Sequence, residues 1–401
     1  MPIRPSLLAL LYAGLAPLSS FAQTAADPAL KLNEIQVIGT HNSYHAGLPP
    51  SEAKWLARQN PQAAASLDYK HLPLAQQFDG GVRQIELDVY ADTKGGRYAH
   101  PRGPAMVAAA GLPPDSDPDP AGLMAIPGFK VMHVQDIDQR STCQPFINCL
   151  LQVRTWSKAH PRHIPIFILV ETKQGAPKNL KLTEPEPFTP SVFDALDAEI
   201  RSVFSASELI TPDDVRGSYS TLNQAILAGN WPTLDSARGK VIFLMDQRAV
   251  TPVYLDGHPS LRGRVLFTNS VPGQPDAAFL ERNEGPAEEI ARLVRQGYLI
   301  RARTDGDTKQ ARTNDISQRD AMMASGAQLL STDYPANEPA RWPGHYFVSL
   351  PADADVRCNP INAPSTCARD LRLCCIDFLR PTMLWWSEGS APTSCMQMSA
   401  C

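Results

Sequence analysis

IQVIGTHNSYH, residues Ile35 to His45, is an apolar run that stops at a histidine followed by an asparagine. It reads as a short buried strand that hands the chain to polar chemistry at its C-terminal end. A histidine after a β-branched run is by itself as ordinary as any loop histidine, so the segment gains meaning from its counterparts. VRQIELDVY (Val82 to Tyr90) carries Glu86 and Asp88 on one face, FKVMHV (Phe129 to Val134) ends near His133, and IPIFILVE (Ile164 to Glu171) is apolar until Glu171. An unbroken run of the last kind suits a strand buried on both faces, as in parallel sheets.

Four further runs follow: VIFLMD (Val241 to Asp246), RVLFTNS (Arg264 to Ser270), YLIRART (Tyr298 to Thr304) and AQLLSTDYP (Ala327 to Pro335). Helical patterns separate most of them. One starts after Pro49-Pro50 with Ser51 as its cap, and others cover Leu72 to Phe78, Cys143 to Ala159, Ser191 to Phe204, Leu222 to Leu227, Asp276 to Gln296 with a break at Gly285-Pro286, and Asp315 to Ser325. The alternation predicts parallel crossover units. Eight strands predict an α/β fold of the (β/α)8 TIM-barrel type, with an open sheet of six or seven strands as the competing arrangement. In a barrel the strand ends share one mouth, where His41, Asp88, His133, Glu171, Asp246, Asn269, Arg303 and Asp333 would converge. The stretch Asp92 to Gly128, rich in Pro, Gly and Asp, reads as a long functional loop without periodicity.

Composition sets the surroundings. At 401 residues the chain has room for a barrel plus an appendage, and 43% hydrophobic and 19% charged residues are globular values. A formal charge of −4 gives no reason to expect nucleic acid as a partner, and a monomer is expected. Arg4 before the apolar run Leu7 to Ala16, then Ser20-Phe21-Ala22, reads as a secretory signal peptide over residues 1–22. The mature chain is then expected to be soluble and secreted or periplasmic. The eight cysteines agree with such a compartment, with Cys143 and Cys149 the one nameable disulfide and six more in the tail that allow 15 pairings. The barrel is expected over residues 23–343. From about Gly344 the strand series gives way to a disulfide-rich C-terminal appendage, residues 344–401, whose Trp385-Trp386 pair suits packing against the cysteines or contact with a membrane surface.

An asparagine, three carboxylates and two histidines around one mouth suit a hard divalent cation flanked by acid/base groups. Calcium takes six to eight oxygen ligands, so Asn42, Glu86, Asp88 and Glu171 are its candidate ligands, with positions left for substrate and water. His41 and His133 are then free to move protons. Lys173, Arg301 and Arg303 are the candidate cations for anionic phosphate.

The order of these motifs resembles the calcium-dependent phosphoinositide-specific phospholipases C, in particular their small secreted bacterial branch: His41-Asn42, then Glu86-x-Asp88, then His133, then Glu171. The resemblance spans most of Ile35 to Pro335. It implies a Ca2+-dependent phosphodiesterase acting on a phospholipid, or on a soluble phosphodiester, with transient contact at a membrane surface. In that chemistry a neighbouring hydroxyl attacks the phosphorus to give a cyclic phosphate and a lipid alcohol. His41 would contact the phosphoryl oxygens and take the hydroxyl proton, a task Glu86 or Glu171 could serve instead, and His133 would protonate the leaving oxygen. A glycerophosphodiesterase is the neighbouring alternative, although that family opens with His-Arg where this chain has His41-Asn42. A binding protein that kept the barrel without the activity is the other.

Overall fold

The computed structural model describes residues 29–175, 180–368 and 371. The signal-peptide reading, the Trp385-Trp386 pair and cysteines 374, 375, 395 and 401 lie outside them. Eleven strands are formed among the described residues: β1 (Ile35–Thr40), β2 (Gln84–Tyr90), β3 (Lys130–Val131), β4 (Ile166–Thr172), β5 (Leu209–Ile210), β6 (Val241–Met245), β7 (Leu266–Phe267), β8 (Phe279–Glu281), β9 (Leu299–Arg303), β10 (Leu329–Thr332) and β11 (Arg357–Cys358).

Eight of these make the barrel. Parallel pairing runs β6, β4, β2, β1, β10, β9, β8, and β7 adds parallel to β6. A parallel bridge between Asn269, just past β7, and Phe279 of β8 links the two ends of the series. β1, β2, β6, β7 and β10 are buried along their whole length, and β4, β8 and β9 are buried but for Glu171, Glu281 and Arg303, which is why the longer staves read as continuous apolar runs. β1 and β2 approach closely at Gly39, where any Cβ would lie 2.1 Å from Gln84 Oε1, so only glycine fits.

Two expected elements change places. Phe129 to Val134 is not a stave: β3 pairs antiparallel with β2, Val89 opposite Val131, and hangs outside the ring. The missing stave is β8, inside the stretch Asp276 to Gln296 expected to be helical; only Ala287–Arg295 is helix there. Ala277 to Leu280 are fully buried between β7 and β9, and an apolar segment walled in on both sides satisfies its backbone by strand pairing.

The loops also hold more order than expected. Ser51 does not cap the helix Pro50–Gln59; the carboxylate of Asp115 does so from the long loop, accepting from the backbone N–H groups of Ser51 and Glu52 at 3.0 and 2.9 Å. That loop carries a helix of its own, Gly103–Ala109. Past Gly344, Tyr346, Val348 and Leu350 are buried in the main core, and β11 pairs antiparallel with the start of β1. The disulfide Cys143–Cys149 is formed, as is Cys358–Cys367 in the C-terminal region.

Candidate metal centre and its flanking histidines

Strand register alone gathers the acidic groups. Parallel pairing sets Asp88 of β2 beside Glu171 of β4, and Glu86 lies two residues earlier on the same face of β2. One oxygen from each of the three lies within 4.8 Å of the others. The turn after β1 then brings in Asn42: Ser43 N donates to Glu86 O (3.0 Å) and Glu86 N donates to Ser43 Oγ (2.8 Å). Asn42 itself sits at φ 45°, a left-handed conformation that asparagine tolerates better than most residues.

The cluster is short of partners. Asn42 Oδ1 and Asp88 Oδ1 are buried without a hydrogen-bond donor. Lys173 Nζ lies 2.9 Å from Asp88 Oδ2 and 3.1 Å from Glu171 Oε1, and Arg301 contacts Glu86. Burial pushes the Glu86 carboxyl up to about 7. Burial and then the neighbouring Glu171 push Asp88 well above the usual carboxylate range. Burial acts the same way on Glu171, but Lys173 and then His133 and His41 outweigh it and leave Glu171 below its ordinary value. Oxygen-only donors, two of them orphaned, in a site where charge is costly without a further cation, fit a hard divalent ion.

A histidine stands on either side, each held by a carboxylate from elsewhere in the chain. His41 Nδ1 lies 2.8 Å from Asp333 Oδ1, and its Nε2 is 3.8 Å from Glu86 Oε1. The other Asp333 oxygen accepts from Arg303 at 3.2 Å. Burial, then the charges of Arg303 and Arg301, hold His41 well below its ordinary value, so it is neutral near pH 7. His133 Nδ1 lies 2.8 Å from Asp138 Oδ2, and the other Asp138 oxygen is 2.8 Å from Nε2 of the buried His45. Burial works to raise Asp138, yet His45 and His133 outweigh it and hold the carboxyl far below its ordinary value.

His41, Asn42, Glu86, Asp88, His133, Glu171, Lys173 and Arg303 therefore meet at one mouth. Arg301 does not serve as a free phosphate-facing cation. It is 1% exposed, and besides Glu86 it donates to Glu281 (2.9 Å), Asn283 (2.6 Å) and Ser331 (3.1 Å). Sequence reading named Asp333 only as a strand-end residue and passed over Asp138, His45 and Tyr69. Asp138 sits in an irregular polar loop with nothing periodic to mark it.

Residues 30–360 match the family "Phosphoinositide phospholipase C, Ca2+-dependent". The chain belongs to the calcium-dependent phosphoinositide phospholipase C family. The family's phosphodiesterase activity and its calcium dependence agree with the oxygen-lined cluster of Glu86, Asp88 and Glu171. A calcium-dependent phosphoinositol-specific phospholipase C from a Gram-negative bacterium, Pseudomonas sp., shares the fold at a TM-score of 0.50 and 17% identity, covering 83% of this chain and 97% of that one. The enzyme from Streptomyces antibioticus gives 0.47 and 17%, covering 76% and 95%. The phosphatidylinositol-specific phospholipase C of Listeria monocytogenes gives 0.44 and 14%, covering 77% and 92%. No curated protein matches the chain. No helix among the described residues of this phospholipase C family member is long and apolar enough to cross a membrane.

Proposed function

We propose that this phosphodiesterase is an exported enzyme that cleaves phosphatidylinositol-type phospholipids to diacylglycerol and a cyclic inositol phosphate. The observation that carries the reading is the pairing of two carboxylate-held histidines, His41 with Asp333 and His133 with Asp138, across one acidic cluster. Two disulfides, Cys143–Cys149 and Cys358–Cys367, support an oxidising compartment.

Asn42, Glu86, Asp88 and Glu171 would hold the ion. Calcium there would supply a hard Lewis acid that acidifies the attacking hydroxyl and offsets charge on the phosphoryl group. His41 is neutral, and with Nδ1 fixed by Asp333 its Nε2 is the group that takes the inositol hydroxyl proton as oxygen attacks phosphorus. Asp138 holds the His133 ring through Nδ1, leaving Nε2 to deliver a proton to the glycerol oxygen as the phosphorus–oxygen bond breaks. Arg303, anchored on Asp333, and Lys173, anchored on Asp88 and Glu171, set positive charge at the rim for the phosphoryl oxygens. Arg301 keeps Glu86 in place.

Phosphorus NMR of a reaction on phosphatidylinositol vesicles tests the assignment. The expected product is a cyclic inositol phosphate that accumulates before any acyclic form. Turnover of glycerophosphocholine with no action on the inositol lipid would overturn it in favour of a soluble-diester enzyme.

A further inference from the structure

Tyr69 is a buried residue of the β1–β2 connection, 8% exposed, and it belongs to none of the groups assigned above. Its ring packs at 4.8 Å from the His45 ring and 5.6 Å from that of His71. Its hydroxyl accepts a 2.8 Å hydrogen bond from Asn42 Nδ2. The hydroxyl also lies 3.4 Å from His41 Nδ1, longer than the 2.8 Å separating the same nitrogen from Asp333. So His41 is held by its carboxylate, and Asn42 is the residue to which the phenol matters most.

A carboxamide has two faces, one oxygen that accepts and one nitrogen that donates, and only the oxygen is a calcium ligand. Asn42 is buried, with its Oδ1 unpartnered and its Nδ2 on Tyr69. Rotated by half a turn, the amide would present its NH2 where a ligand oxygen is needed, and the phenol would donate to Oδ1. The backbone does not choose between these states, since both leave φ of Asn42 unchanged. Nor does the phenol, which can donate or accept; with an ion on Oδ1, however, the buried Nδ2 needs an acceptor, and the Tyr69 hydroxyl 2.8 Å away is that acceptor.

Resting on the calcium reading above, we infer that Tyr69 is a positioning residue of the metal centre: its hydroxyl accepts the Asn42 amide hydrogen and so holds the side chain, with Nδ2 satisfied, while Oδ1 is turned to the ion. Outer partners that orient a ligand typically change metal affinity by about 10- to 100-fold. Tyr69 touches neither the reacting phosphate nor the ion in this account. Its loss therefore weakens calcium binding and leaves turnover at saturating calcium within about threefold, because the histidine–carboxylate pairs remain.

The test is calcium titration by calorimetry on the full chain after chelator treatment, for the wild type, Tyr69→Phe, Asn42→Ala and the double variant. Phenylalanine keeps the ring packing and removes only the hydroxyl. The expected result is a roughly tenfold weaker calcium Kd for Tyr69→Phe and a larger loss for Asn42→Ala. Adding Tyr69→Phe to Asn42→Ala is expected to change nothing further, as a coupled pair requires. Wild-type affinity in Tyr69→Phe alongside weakened binding in Asn42→Ala would overturn the role of Tyr69 and leave the calcium site standing. Undiminished binding in Asn42→Ala, or no binding by the wild type, would overturn the ligand assignment and Tyr69 with it. A lowered Tm in chelator with unchanged calcium Kd would make Tyr69 a packing residue and likewise overturn the inference.

Discussion

The two sides of the barrel mouth differ in how far their carboxylate and amide oxygens are satisfied. On the side of β9 and β10, Asp305 accepts from the backbone N–H of Asp333 and from Thr304 and Thr332, Asp333 is shared between His41 and Arg303, and Glu281 meets Arg301 and Asn269. On the side of β1, β2 and β4, Asn42 Oδ1 and Asp88 Oδ1 have no donor, and one lysine serves two carboxylates. Burying polar atoms without partners costs free energy. On the first side the carboxylates are finished and the atoms left over are donors, Nε of Arg301 and Arg303; on the second the atoms left over are oxygens, which a cation completes. Glu86 straddles the two, one oxygen on Arg301 and the other facing His41.

The histidines that bridge these sides carry the largest expected effect. His41→Ala and His133→Ala are each expected to lower kcat by about 10²- to 10⁴-fold, while Tm in calcium stays near the wild-type value. Steady-state assays with a parallel melt would check this, and a loss below tenfold for either would remove that residue from the proton-transfer role. Arg301→Ala strikes the finished side. It strands Glu86 and Glu281 in a buried site, and denaturant unfolding is expected to show a loss of about 3–5 kcal/mol. A loss under 1 kcal/mol would mean the scaffold is less dependent on that arginine than its contacts suggest.

A pH effect away from the mouth separates folding from chemistry. His163, at the foot of β4, lies 2.7 Å from Ser157 Oγ and 2.7 Å from Ile164 O. Burial is the main cause that lowers it to about 4. Its folded value is below the unfolded one, so the unfolded state binds the proton more tightly. Stability is fully present above about pH 6.5 and is lost as pH falls towards 4, by up to about 3 kcal/mol. Melts of wild type and His163→Gln across that window are expected to show a shallower acid dependence in the variant; parallel curves would exclude His163 as the source. Asp88→Asn carries the smallest effect and the opposite sign. Without calcium it removes a charge that burial and Glu171 disfavour, and a small gain in stability in chelator is expected, with calcium binding weakened. A loss of stability in chelator would erase the contrast between the two sides.

Much of this was legible in the chain, and the rest failed for identifiable reasons. β1, β2 and β6 are fully buried and β4 is buried except at Glu171; all four are long enough to show their character, and polar residues stand at or next to their C-terminal ends. FKVMHV shows the same pattern, yet β3 is antiparallel, because an apolar run ending in histidine does not encode its partner's direction. β8 is three residues long beside Gly285-Pro286, too short for either period to appear. The candidate ligands stand out because register places i and i+2 on one face. What positions the histidines does not, since Asp333 meets His41 across 292 residues, and Asp138 and Tyr69 act from loops.

The central claim, a calcium-dependent cleavage of inositol phospholipid at this mouth, is tested most directly by phosphatidylinositol turnover on vesicles before and after calcium chelation. Turnover is expected with calcium, with a loss of at least about 10³-fold in chelator and recovery when calcium is restored. Undiminished turnover in chelator would contradict it.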